Sequence, residues 1–408
     1  MNRFVFSLIT ILILVSCAER DADIHPSWSY DAVIYEMNVR QYTPEGTFAA
    51  AQSELPRLKE LGVDVVWLMP VYPIGEKGRK GTLGSYYAIK DYKAVNPEFG
   101  TLEDFDSFVA ETHRLGLKVI IDWVANHTSP DAVWIDSKPL DYYERDSLGN
   151  TIVEYDWTDI AALNYENMDM RADMMDAMQF WVDRKIDGFR CDMAFLMPQD
   201  FWAEAIGGIK RQNPDFYFLA EGEEPWLHEA GFDASYSWEF HHLLNDIAQG
   251  KKAKTELLAY LDKNDASYPD TAFRLMFTSN HDENSWAGTE FERMGDAVKA
   301  MTVLCYTLPQ SQPLIYTGQE VGWNRRFEFF EKDTAPDWTA NEWTAFYKEL
   351  NDLRHDNPAL ASGGKGGAFE LVSSDDNSLV FTRSLPENVV KVSVQLVDPW
   401  NYSIERIK

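Results

Sequence analysis

From Asp31 onward the chain repeats one unit: a short apolar run of strand type, then a longer stretch carrying apolar residues at helical spacing. Strand-type runs fall at 33–37, 63–69, 118–123, a run ending at 192, 216–221, 234–238, 273–278 and 313–317. Helical spacing marks 47–61, 102–115, 171–185, 201–211 and 342–354, the first two closed by Gly62 and Gly116. Strands alternating with helices imply parallel pairing, and about eight such units in one domain predict a (β/α)8 TIM barrel, here over 31–360. The pattern breaks at 128–168, rich in Asp, Tyr and Pro, which predicts a short insertion projecting from the end of the third strand. After a Gly-rich break at 363–367 the tail alternates, as in Ser378-Leu379-Val380-Phe381-Thr382, so 361–408 reads as a small, abbreviated C-terminal β domain.

In such a barrel the working residues sit at the C-terminal ends of the strands. Those ends carry Asp122-Trp123-Val124-Ala125-Asn126-His127, then Arg190 and Asp192, then Glu221, then Asn280-His281-Asp282. A single strand-end Asp serves as readily as a helix cap, and one Arg-Asp pair as a structural ion pair. Four polar clusters in register converge on one mouth. Side chains alternate along a strand, so Arg190 and Asp192 share a face while Phe189 and Cys191 take the other. A nucleophile paired with a proton donor needs one ionised and one protonated carboxyl in neighbouring positions. Asp192 beside Arg190 suits the anion. Glu221 follows Phe218-Leu219-Ala220 with no adjacent cation and suits the proton donor, with Glu223 and Glu224 as the alternatives.

These four segments, in this order, resemble the conserved regions of the alpha-amylase family of glycoside hydrolases (family 13) over about residues 30–360. Tyr87-Ala88-Ile89-Lys90-Asp91-Tyr92 is similar to that family's tyrosine-bearing loop, and Leu163-Asn164 to a further motif, although Ala161-Ala162 stands where a polar residue is frequent. The resemblance implies Asp192 as nucleophile, Glu221 as general acid/base and Asp282 as the third acid, binding sugar hydroxyls. It implies Arg190 orienting the nucleophile, His127 and His281 bonding hydroxyls of the ring being cleaved, and Tyr87 stacking beneath that ring. Asn126 matches a residue that binds structural calcium in many relatives, which makes calcium a candidate cofactor. The implied reaction is retaining cleavage of alpha-glucosidic bonds, most simply alpha-1,4, in starch-type glucans or maltooligosaccharides. Action on alpha-1,6 links or trehalose, or transglycosylation, would use the same residues, and a non-catalytic glycan-binding relative would be marked by a lost acid. A metal-dependent hydrolase using His127 and His281 lacks a His-x-His cluster, and Arg190 would repel the ion.

Ahead of the barrel, Met1-Asn2-Arg3 precedes an apolar run over 4–15, too short to span a bilayer, which reads as a leader. Leu14-Val15-Ser16-Cys17 resembles the bacterial lipoprotein box, so 1–17 is expected to be a lipoprotein signal peptide. Cys17 would be the lipidated N-terminus, and 18–30 a tether. That places the protein at a Gram-negative cell envelope, anchored in the outer membrane and facing the periplasm or the surface. The net charge of −29, from 37 Lys+Arg against 66 Asp+Glu, argues against a nucleic-acid partner and suits a neutral glucan.

Overall fold

In the computed structural model, residues 24–372 and 375–407 are described. The leader, Cys17 and the first part of the expected tether lie outside them. Eight strands close a parallel barrel in chain order: β1 Ile34–Met37, β2 Val65–Leu68, β3 Lys118–Trp123, β4 Gly188–Cys191, β5 Tyr217–Ala220, β6 Ala234–Tyr236, β7 Phe273–Met276 and β8 Ser311–Tyr316. β1 pairs with both β2 and β8, so no edge is left open.

The two faces of each strand enter two cores. Ile34, Trp67, Ile120, Leu219, Tyr236, Leu275 and Leu314 fill the barrel interior. Tyr35, Val66, Ile121, Phe189, Phe218 and Ile315 point outward, against the helices. Cys191 belongs to this outer set, so Arg190 is turned inward, as the alternation of β4 predicts. Gly188 opens β4 where a Cβ would stand 2.4 Å from the Tyr217 carbonyl oxygen, and only glycine lets the neighbouring strand approach that closely.

The helix expected over 47–61 is two helices, Phe48–Gln52 and Leu55–Leu61. Pro56 has no N–H to extend the first helix and is accepted in the opening turn of the second. The helix Leu102–Arg114 starts on a reciprocal capping box between Thr101 and Asp104. The stretch expected to be a tether does not stay loose to residue 30. His25 is buried, its Nδ1 2.7 Å from Asp233 Oδ1 and its Nε2 2.7 Å from the Thr271 carbonyl, and Tyr30 joins the interior core.

The segment expected as an insertion leaves and re-enters the barrel through a two-residue antiparallel ladder, His127–Thr128 against Ala161–Ala162, with a short helix Val133–Ser137 between. The tail is an antiparallel sheet of four strands in chain order: β9 Ala368–Leu371, β10 Ser378–Leu385, β11 Asn388–Gln395 and β12 Tyr402–Arg406. Leu379, Phe381, Val390, Val392 and Val394 alternate into the same core as the helices. Buried Arg383 donates to the carbonyls of Thr307, Ala361 and Gly367, which ties the sheet to the barrel. No helix among the described residues is long and apolar enough to cross a membrane.

Candidate active site

Backbone register places the central acids side by side. The Asp192 N–H donates to the Trp123 carbonyl and the Glu221 N–H to the Cys191 carbonyl, both at 2.9 Å, so each residue continues the ladder one step past its strand. Met193 then takes left-handed backbone angles, φ 44° and ψ 40°, which cost a non-glycine residue on the order of 1 kcal/mol. This turn aims the Met193 N–H at Glu221 Oε2, 2.9 Å away.

Arg190 joins the acids. Its Nη1 donates to Asp122 Oδ1 and Asp192 Oδ1, both at 2.9 Å, and its Nη2 lies 2.8 Å from Glu221 Oε2. The last contact is an ion pair without hydrogen-bond alignment, since Nη2 has no hydrogen-bond partner among the described residues. The sequence suggests a cation for Asp192 alone, but the guanidinium reaches both carboxylates, because β4 and β5 are neighbours and Arg190 faces inward between them. Burial pushes both acids up and Arg190 pulls both down; Asp192 comes to about 6 and Glu221 to about 7. Neighbouring anions add to the rise on each: Asp122 and Asp282 on Asp192, Asp192 and Asp282 on Glu221.

The other expected site residues gather at the same mouth. Asp282 follows β7 and opens a π-helical turn, Glu283–Ala287, that carries Trp286 to the rim. His281 Nε2 stands 2.7 Å from Tyr87 Oη and 3.4 Å from Asp282 Oδ2, and its Nδ1 is 2.5 Å from Glu36 Oε1. Tyr87 therefore does more than offer a ring face: its hydroxyl also lies 3.1 Å from Asp122 Oδ2, and its ring stacks on His281. His127 is buried with Nε2 lacking a partner among the described residues, and burial lowers it to about 4, so it is a neutral hydrogen-bonding group.

A cavity of about 480 Å³ spans these groups, lined by Tyr87, His127, Asp192, Glu221, His281 and Asp282. Its walls add residues that strand-end reading did not reach: Lys80, Trp157 and Asp159 on one side, Trp286, Phe329 and Phe330 on the other. Trp157 packs against the His127 ring, and Trp286 is 57% exposed beside Phe329. A shallower groove of about 580 Å³ on the outer wall, around Asp106, His113 and Arg184, contains none of the strand-end acids.

Asn126 turns its amide nitrogen to the Glu154 carboxylate, and among the described residues no three His, Cys, Asp or Glu side chains gather as metal ligands. Calcium takes six to eight oxygens. No step below passes through a metal.

A closed parallel barrel with its ionisable side chains gathered beyond the strand C-termini defines a barrel of the enzyme type. Sequence comparison specifies which: the family described as alpha amylase, catalytic domain, matches residues 24–147 and 144–357, and the chain belongs to it. The chain is 31% identical over 350 residues to alpha-amylase MalA of Haloarcula japonica, a match that covers 83% of this chain but only 50% of that relative. It therefore spans half of that relative's length. Among solved structures, an alpha-amylase from Lactobacillus plantarum superposes with a TM-score of 0.81 at 31% identity, covering 90% of this chain and 88% of the other. A maltogenic alpha-amylase, AmyB, from Thermotoga neapolitana gives 0.83 at 28% identity, covering 90% and 86%.

Proposed function

We propose that this chain hydrolyses alpha-glucosidic bonds, foremost alpha-1,4 bonds in starch-type glucans or maltooligosaccharides, by double displacement with retention. The observation that carries the reading is the single guanidinium of Arg190 touching both Asp192 and Glu221. Two carboxyls held by one guanidinium favour the short spacing of a retaining pair over the wider gap that admits a water between acid and base.

In the first step an Asp192 oxygen attacks the anomeric carbon while Glu221 gives its proton to the glycosidic oxygen, and the leaving sugar departs as an alcohol. In the second, the Glu221 carboxylate takes a proton from water, the water oxygen attacks the same carbon, and the Asp192 ester bond breaks. Asp282 binds sugar hydroxyls, and the free His127 Nε2 can bond another. The aromatic wall of Trp157, Trp286, Phe329 and Phe330 suits the apolar faces of sugar rings.

Retention is directly measurable. Proton NMR in the first minutes of hydrolysis should show the alpha anomer growing before mutarotation mixes the signals; beta anomer appearing first would mean inversion and would remove Asp192 as nucleophile. A parallel panel of maltoheptaose, pullulan, isomaltose and trehalose should show maltoheptaose consumed fastest.

The lipoprotein box supports a second proposal, that Cys17 carries a lipid anchor holding the barrel at the cell envelope. Labelled palmitate should enter the full chain and the protein should sediment with membranes. Cys17→Ala should lose both, and an unlabelled, soluble native protein would refute the anchor.

A further inference from the structure

β1 brings a carboxylate into the barrel mouth that no strand-end motif announces. Glu36 faces inward, fully buried, and its Oε1 lies 2.5 Å from His281 Nδ1. Among the described residues the other oxygen, Oε2, is buried with no hydrogen-bond partner, and His281 is the one side chain bonded to this acid.

The hydrogen bonds beyond His281 indicate where its protons lie. Burial raises Asp122 to about 6 against the pull of its Arg190 partner, so above that pH it is in the ionised, acceptor-only form. The Tyr87 hydroxyl has one proton, and at 3.1 Å from Asp122 Oδ2 it donates there. Its oxygen is then left to accept from His281 Nε2, 2.7 Å away, so Nε2 carries a proton. With the Glu36 carboxylate against Nδ1, that nitrogen carries one as well.

Resting on the glycosidase reading above, we propose that Glu36 is a positioning residue that holds His281 as an imidazolium, a second fixed cation in the acid cluster beside Arg190. The charges facing His281 are consistent with this. Glu36 from β1, Asp122 from β3 and the adjacent Asp282 favour the charged ring; Arg190 from β4 opposes it; Tyr87 is neutral. Burial also works against the cation, yet the carboxylates of Asp282 and Glu36 outweigh it and raise His281 to about 9. Burial raises Glu36 too, so the two groups compete for one proton, which the imidazole keeps. Without Glu36, five mouth carboxyls become four, but the ring loses its closest counter-charge and its orientation. The consequence for catalysis is that a fixed positive charge stays beside the acid cluster while a sugar excludes water from it.

The test separates charge from shape. In 15N-labelled native protein, with the signal assigned by its loss in His281→Gln, the ring should stay doubly protonated through about pH 8, well above the ordinary histidine value of about 6.5. A ring that loses its proton at or below about pH 7 would overturn the proposal whether or not any glucan is cleaved. In Glu36→Gln, which keeps size and one acceptor, kcat/KM relative to native should be near unity at about pH 5 and fall about tenfold by about pH 7.5, with Glu36→Asp restoring most of it. A loss equal at every pH, or no loss, would also overturn it, since a purely structural role has no reason to follow the ring's titration. If Glu36→Gln does not fold, the native titration still decides. If the native protein cleaves no alpha-glucan, the functional reading fails while the ring measurement stands.

Discussion

Asp192→Asn is expected to lower kcat on maltoheptaose by about three to five orders of magnitude, because covalent displacement has no substitute for the attacking oxygen. The fold should survive. Asn is close in size, and its amide oxygen can still accept from Arg190 Nη1, the bond that Asp192 Oδ1 makes at 2.9 Å. Stability should move the other way from activity. Burial raises the folded-state pKa of Asp192 to about 6, above the ordinary carboxyl value. A group raised in this sense lends stability below its unfolded pKa and loses it as pH climbs through the folded value. The native protein therefore carries an unfavourable buried charge above about pH 6 that the amide lacks. Asp192→Asn should show a higher Tm than native at pH 7 to 8, with the gain shrinking as pH drops toward about 4. Retention of more than about a tenth of native turnover would remove Asp192 as nucleophile. A lower Tm at neutral pH would show that its ion pair with Arg190 outweighs the desolvation.

Glu221→Gln should nearly abolish cleavage of natural glucans, by about two to four orders of magnitude, yet spare the first step on aryl glucosides whose leaving groups need no proton. The glycosyl ester on Asp192 should then accumulate, because no base remains to activate water. Added azide, a nucleophile that needs no base, should restore turnover. The pH profile carries the same signature. In the native protein kcat/KM should fall on the acid side as Asp192 takes up a proton, and on the alkaline side as Glu221, raised to about 7, gives its proton up. The alkaline limb should disappear from the first step of the Gln variant. Equal losses on glucans and activated substrates, with no azide rescue, would move the acid role to Glu223 or Glu224, whose backbone and side chains sit on the loop just beyond β5.

Much of this arrangement is local in origin and so legible in the chain itself. Strand periodicity has a range of two residues, which is why the shared face of Arg190 and Asp192, opposite Phe189 and Cys191, could be read from 188–192 alone, while which face turns inward came from the barrel. The acids fall at strand ends because each apolar run stops there, and eight such runs leave few ways to close a sheet. Helix boundaries were less secure: apolar spacing over 47–61 persists across a break that Pro56 and the Ser53-Glu54 turn impose on the backbone.

Tertiary structure decided which distant side chains meet and what solvent they lose. Glu36 and His281 are 245 positions apart, and only barrel closure, with β1 beside β8, brings them into one hydrogen bond. Arg190 reaches Glu221 because β4 and β5 pair in a particular register, which a sequence without structure does not display. Trp157, Trp286, Phe329 and Phe330 come from loops of no fixed period, and only their assembly makes a wall. His25 and Tyr30 are buried because the barrel base presents Asp233 and an apolar surface to them. Titration follows the same division. The identity of the acids is written along the chain, but desolvation depends on burial, and it is burial at the barrel mouth, beside other carboxylates, that lifts Asp192 and Glu221 out of the ordinary carboxyl range.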